Sequence, residues 1–314
     1  MLKYGGFFLL GENTMKYTKP ALSFEEQAQR LLDRGLIAPD KKALTKQLSV
    51  VNYYRLSAYW YPFKRIDAKT GREYFASKTT FDMIWRRYTF DHHLRLLVMD
   101  AIERIEIAIL RTHMVEQFTL NHGPLGYCHS ANFSPKFNHP RLMREVDDAV
   151  GRSKEEFVQR FRGKYTKEKN LPLWIAAEVM TFGQLFTFFR FMHHAEKKEL
   201  SRQFNVYSPV LESWLHTLLF SRNACAHHAR LWNRQIPIPP KLPSERHSPA
   251  WHTPVQIDNQ RIFAILTILN YLLSYITPNT NWQGRLENLL KDYKEIPLIS
   301  MGFPQNWKEH PLWK

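Results

Sequence analysis

The sequence predicts an all-α protein. Three observations carry that reading. Apolar residues recur at three- and four-residue steps over long stretches. No strong period-2 run marks a half-buried strand. Segment ends carry the signals of helices, with capping residues before and Gly or Pro after. The 314 residues are 44% hydrophobic and 14% aromatic, enough for a sizeable core and too much for intrinsic disorder.

The elements follow in order. Residues 1–14 read as a loose extension, ahead of the more ordinary start at Met15. Ser23, with Glu26 three residues on, has capping-box spacing and opens a first helix that stops at Gly35. A second covers roughly Lys41 to Asn52, and the aromatic stretch Tyr53 to Phe63 is ended by Pro62. RIDAKTGREYFA reads as a loop or small hairpin around Gly71. The longest periodic segment is Phe81 to Phe118, where Leu94, Leu97, Val98, Ala101, Ile102, Ile105, Ala108 and Ile109 form one stripe.

A Gly- and Pro-bearing loop spans 121–140, and a basic helical stretch runs from Arg141 to Lys169. Leu173 to Met192 reads as one hydrophobic helix, HHAEKKEL as a polar break, and Pro209 to Trp232 as a further helix. Six Pro in 233–257 make that stretch an extended loop. A helix from Gln260 to Ile276 closes the core, and a mixed Trp/Pro-rich tail follows. The resulting division is 1–16 extension, 17–80 N-terminal helical and aromatic segment, 81–276 helical core, and 277–314 tail packed on that core.

Lys and Arg exceed Asp and Glu by 15 charges. Such an excess favours a polyanionic partner, nucleic acid before an anionic membrane. No span is convincing for a bilayer: Leu173 to Met192 carries Glu178, Gln184 and Arg190, and Ile262 to Ile276 is too short. Only Cys128 and Cys225 are present, which implies no disulfide framework and no Cys₄ zinc site, and fits a reduced cytoplasmic protein. The adjacent His pairs, and Cys225 with His227, lack zinc-site spacing, so no metal and no cofactor is expected.

The stretch SRNACAHHARLWNR, Ser221 to Arg234, is where chemistry concentrates. On a helix Asn223 and His227 share a face, Arg222 reaches the same cleft, and Arg230 is one turn on. These residue types suit RNA cleavage. RNA carries its own nucleophile, the 2′-OH. Histidine moves protons near neutral pH, and arginine offers fixed paired donors to phosphate. The alternative is an interior helix whose polar groups satisfy a buried network. Glu103 and Glu106 form a second constellation. Glu106 is the better counter-charge for Arg222; the competing reading pairs the two carboxylates with Arg104 and Arg111 on the helix surface. Arg104, Arg111 and Arg234 are further candidates for holding an RNA backbone. The Tyr53–Tyr61 aromatics either stack bases or pack the N-terminal segment.

RNACAH, Arg222 to His227, resembles the Arg-X4–6-His motif of the HEPN ribonuclease superfamily, with Asn directly after Arg. The wider string RNACAHHARLWNR is similar to the signature of the Abi (abortive infection, AbiD/AbiF-like) family of phage-defence proteins. KPALSFEEQAQRLLDRGL, NYYRLSAYWYPF, FDHHLRLLVMDAIERIEIAILRTH and LPLWIAAEVMTFGQL resemble that family's blocks in the same order, so the likeness covers roughly 17–310.

The resemblance implies an all-α HEPN-like bundle and a metal-independent endoribonuclease of the abortive-infection or toxin–antitoxin type. It implies a homodimer with a composite cleft. Arg222 and His227 carry over as catalytic, Asn223 as supporting, and His228 as part of the pattern. The expected partners are RNA, a second copy of the chain, and an antitoxin or regulatory RNA, with no membrane. The alternative is a subunit that grips RNA without cutting it, or one that senses a phage component.

Overall fold

A computed structural model describes Thr18 and residues 20–314; the extension expected over 1–16 lies outside the described residues. The chain is all-α apart from one short hairpin. It divides into two compact units, one up to Arg86 and one from Arg87.

The first unit begins with α1 (Phe24–Asp33) and α2 (Lys41–Val50), which pack together through Ala28, Leu31, Leu44 and Leu48. Ser23 Oγ accepts the Glu26 N–H at 3.2 Å, and the Glu26 carboxylate accepts the Ser23 N–H at 2.7 Å, so the capping box closes reciprocally. The Asn52 side chain caps α3 (Tyr53–Trp60). β1 (Lys64–Ile66) and β2 (Glu73–Phe75) pair antiparallel with Lys64 opposite Phe75. Their turn is held by Asp67, which accepts the Lys69 and Thr70 N–H groups, and Gly71 takes the φ of +65°.

The second unit is organised on α4 (Phe81–Ile105), which continues through a π-helical segment (Glu106–His113) into α5 (Met114–His122). Leu94, Leu97, Val98, Ala101, Ile102, Ile105 and Ile109 are buried, as their spacing requires. Two expected single helices are pairs. The basic stretch is α6 (His139–Arg152) and α7 (Glu156–Lys164), separated at Ser153. The apolar stretch is α8 (Leu173–Val179) and α9 (Phe182–Phe191). There Thr181 starts a new capping box with Gln184, which competes with continuation of α8.

HHAEKKEL is not a break but most of α10 (His194–Arg202). Its Leu200 and Ser201 are buried, and the Glu196 carboxylate lies 2.6 Å from His122 Nε2. Then come α11 (Ser208–Ala226), α12 (Ile262–Ile276) and α13 (Trp282–Asp292). α12 is buried from Ile262 through Leu269 on all sides, which makes it the central rod. Each such Leu, Ile or Phe contributes about 1.5–3 kcal/mol by leaving water. The tail is anchored by two indoles: Trp282 Nε1 donates to Leu97 O at 2.9 Å, and Trp313 Nε1 to Thr267 Oγ1 at 3.0 Å. Among the described residues no helix is long and apolar enough to cross a membrane.

Candidate functional site

α11 carries the site at its C-terminal end. Leu211, Trp214, Leu215 and Leu218 bury its apolar face. The proline-rich stretch after it is strapped alongside: Trp214 Nε1 donates to Lys241 O at 2.7 Å, and Thr217 Oγ1 to Ile238 O at 2.9 Å. The expected extended loop is therefore a fitted strap, and α11 is held from both sides.

The helix was expected to run to Trp232; it ends at Ala226. His227 is the C-cap, and His228 adopts φ +56°. The Ala229 N–H donates to Ala224 O at 2.8 Å, and the His228 N–H to Cys225 O at 2.9 Å. These two bonds make a Schellman ending, whose left-handed position usually falls to glycine. A side chain there costs on the order of 1–2 kcal/mol. The four-residue spacing of Asn223 and His227 survives as a backbone bond, the His227 N–H to Asn223 O at 3.0 Å, but His227 no longer sits within the helix.

Above this turn the side chains separate by exposure. Arg222 and Asn223 are half-buried, while His227 and His228 are exposed. Arg222 Nη1 donates to Asn223 Oδ1 at 3.2 Å, so the asparagine orients the guanidinium. Arg230 is half-buried, and Arg234 lies over the Phe220 ring at 5.1 Å.

Beneath the turn is a buried pair on α4. Asp91 is fully buried and accepts the Trp232 N–H at 2.7 Å and the Leu231 N–H at 3.1 Å. Arg95 Nη1 reaches its other oxygen at 2.5 Å. One carboxylate thus ties the chain beyond the motif to α4. Sequence reasoning passed over Asp91 and Arg95. Their signal is an Asp and an Arg four apart, with the Asp three residues before Leu94 in the apolar stripe.

The same cluster sets the local titration. Burial pushes the Cys225 thiol up to about 12, with Asp91 adding and Arg95 opposing, so it is no nucleophile. His92 is held below its ordinary value by burial first, then by Arg95 and His93; Asp91 opposes this, and the charge of His228 lowers it further. His92 and His228 therefore belong to one electrostatic neighbourhood.

At the second constellation the competing reading holds for Glu106. Arg111 Nη2 meets Glu106 Oε1 at 2.6 Å and Met180 O at 2.9 Å, while its Nη1 donates to Ala177 O. The carboxylate offered as a counter-charge for Arg222 is engaged by Arg111, and Arg111 itself closes the end of α8. The π turn is the reason, because its i→i+5 hydrogen bonding brings residues five apart over one another. Arg104 pairs with Asp100 at 3.0 Å, and Asp100 also takes Arg285 at 2.8 Å. Glu103 is exposed. Among the described residues no three His, Cys, Asp or Glu side chains form a group able to hold a metal ion.

The fold and site define an all-α protein that presents an Arg-Asn…His cluster at the fixed end of a buried helix. The family model described as Abi-like protein matches residues 46–233, more than half of the chain, and the chain belongs to that family. The matched span contains Asp91, Arg95, Glu106 and the whole Arg222–His227 motif. Family membership points to a part in abortive infection, a defence against phage. No curated protein and no solved structure matches the chain.

Proposed function

We propose that the chain is a HEPN-type endoribonuclease of phage defence that cleaves RNA through the 2′-OH without a metal. The observation that supports this best is the end of α11, where an Asn223-oriented Arg222 is half-buried, His227 five residues on is exposed, and Asp91 holds the chain just beyond the turn. In the reaction the 2′-oxygen attacks the scissile phosphorus and the bond to the 5′-oxygen breaks. A base takes the 2′-OH proton, and an acid gives one to the departing 5′-oxygen. The products are a 2′,3′-cyclic phosphate and a 5′-OH end. His227 performs the proton transfer, and Arg222 holds the charge that grows on the phosphoryl oxygens. Two copies of the chain in a homodimer divide the acid and base roles between their two His227 side chains.

The test is incubation of labelled cellular RNA in EDTA with the wild type, His227→Ala and Arg222→Ala. Cleavage abolished by both substitutions supports the enzyme. Tight binding without cleavage in the wild type turns the reading to an RNA-gripping subunit, provided that expression of the wild type is no more toxic to cells than His227→Ala. Light scattering checks the composite cleft, which a strict monomer would remove.

A further inference from the structure

The first unit contains a cavity of about 440 Å³ that the cleavage scheme does not use. It lies between α1, α3 and the hairpin, and its walls include Gln27, Arg30, Arg34, Tyr53, Tyr54 and Lys64. The described lining residues all fall between Pro20 and Glu73, within the first unit.

Charge, ring and hydrogen-bond groups converge there. Three cations face a single carboxylate, Glu73. Glu73 is shared by Lys64 and by Arg34 at 3.2 Å, and Arg34 also donates to the Tyr53 hydroxyl at 3.1 Å. Arg30 makes no ion pair among the described residues; its charge reaches Glu73 only through space, so the guanidinium itself is open to an anion. Tyr54 is 82% exposed, so its ring at the cavity rim is open to a second ring. Tyr53 stands edge-on to Trp60 at 4.8 Å, which fixes the inner wall.

The most informative atom is Gln27 Oε1. The amide is oriented by its own Nε2, which donates to Leu22 O at 2.9 Å. Its Oε1 is buried and meets no donor among the described residues. A buried carbonyl without a donor is uncommon and points to a missing one, which a ligand N–H can supply. An aromatic wall, an unpaired guanidinium and a buried acceptor match the ring, phosphate and N–H edge of a nucleotide. The volume lies within the ordinary range of small-ligand pockets.

We propose that this cavity binds a nucleotide, its base against Tyr54, a base N–H on Gln27 Oε1 and its phosphate on Arg30. The nucleotide is either free or an unpaired residue of an RNA strand. The inference does not rest on cleavage at His227, and its test uses full-length His227→Ala protein so that the two readings fail separately. AMP, purine riboside 5′-monophosphate (which lacks only the exocyclic amine) and inorganic phosphate are titrated by intrinsic fluorescence and calorimetry. A short labelled oligoadenylate is titrated by anisotropy.

The expected result is AMP binding at least about fivefold tighter than purine riboside monophosphate, with phosphate weaker still. Tyr54→Ala and Arg30→Ala each weaken AMP at least about fivefold, and Gln27→Met erases the preference for the amine. Tyr54 is exposed, so its substitution leaves the fold intact, as a thermal melt verifies. Oligoadenylate binding that is tighter than AMP and falls with Tyr54→Ala assigns the site to RNA. Equal affinity for AMP and oligomer assigns it to a free nucleotide. The proposal is overturned if neither AMP nor the oligomer responds to the Tyr54 and Arg30 substitutions, or if AMP, its amine-free analogue and phosphate bind alike.

Discussion

Asp91 and Trp232 are joined by a 2.7 Å hydrogen bond from a backbone N–H to a buried carboxylate, across 141 residues of sequence. With Leu231 on the same oxygen and Arg95 on the other, this bond fixes where the chain goes once α11 has ended. A charge buried at 0% exposure is tolerable only because its partners are all in place.

Asp91→Asn tests that dependence. It keeps the shape, removes the charge opposite Arg95, and turns one acceptor into a donor facing backbone N–H groups. The expected loss is about 3–5 kcal/mol, as for other broken buried pairs. Urea unfolding measures it. RNA cleavage per folded molecule should fall as well, since the His228 turn loses its tether. A variant as stable and active as the wild type would show that the turn holds itself.

Arg111→Ala should act on stability alone. It strips the Ala177 and Met180 carbonyls and the Glu106 carboxylate of their donor. A cost of about 1–3 kcal/mol follows for buried groups left unpaired. RNA affinity, corrected for the folded fraction, should match the wild type. A selective loss of RNA binding with an unchanged melt would restore Arg111 to the nucleic-acid surface.

His310 gives the pH dependence a sign. It is fully buried, its Nδ1 accepts the Leu312 N–H at 3.1 Å, and burial pushes its pKa down to about 4 from 6.5. The folded chain holds it neutral, while the unfolded chain protonates it below about 6.5. The unfolded state therefore binds more protons between these values. Stability is complete above the upper one and declines as pH falls toward the lower, by up to about 3 kcal/mol. Melting temperatures measured down this range should fall less steeply in His310→Asn, which retains an acceptor near Nδ1 and does not titrate.

Thiol chemistry should be slow. Burial raises the pKa of both Cys128 and Cys225, the latter to about 12. In the native protein at neutral pH, Cys225 should resist alkylation, and both should react on addition of denaturant. Mass spectrometry after iodoacetamide treatment reads this directly, and rapid native labelling of Cys225 would contradict its place under the turn.

The parts legible in the sequence were those decided by local pattern. The stripe from Leu94 to Ile109, the all-apolar run of α12, the Ser23 capping box and the turn at Gly71 each state their structure within a few residues. What escaped was decided from elsewhere in the chain. Nothing in HHARLWNR announces that the helix stops at Ala226, because the stop depends on a histidine in a glycine conformation and on a carboxylate far away in sequence. Glu106 had two candidate partners, Arg222 as a counter-charge and Arg111 on its own helix, and only the π turn decides for Arg111. The break at Met180 was visible in principle, since Thr181 and Gln184 spell a second capping box inside the apolar run.

The left-handed residue at the end of α11 has an evolutionary reading. Glycine at position 228 would relieve the left-handed backbone, against the added freedom it gives the unfolded chain and whatever the imidazole contributes. Natural proteins rarely sit at their stability optimum, so a strained turn of this kind persists wherever the chain stays above its threshold. A chain that keeps an imidazole there accepts a lower ceiling on its thermal tolerance. The difference in melting temperature between His228→Gly and the native chain measures how much of that ceiling the strained turn takes away, net of what the ring contributes.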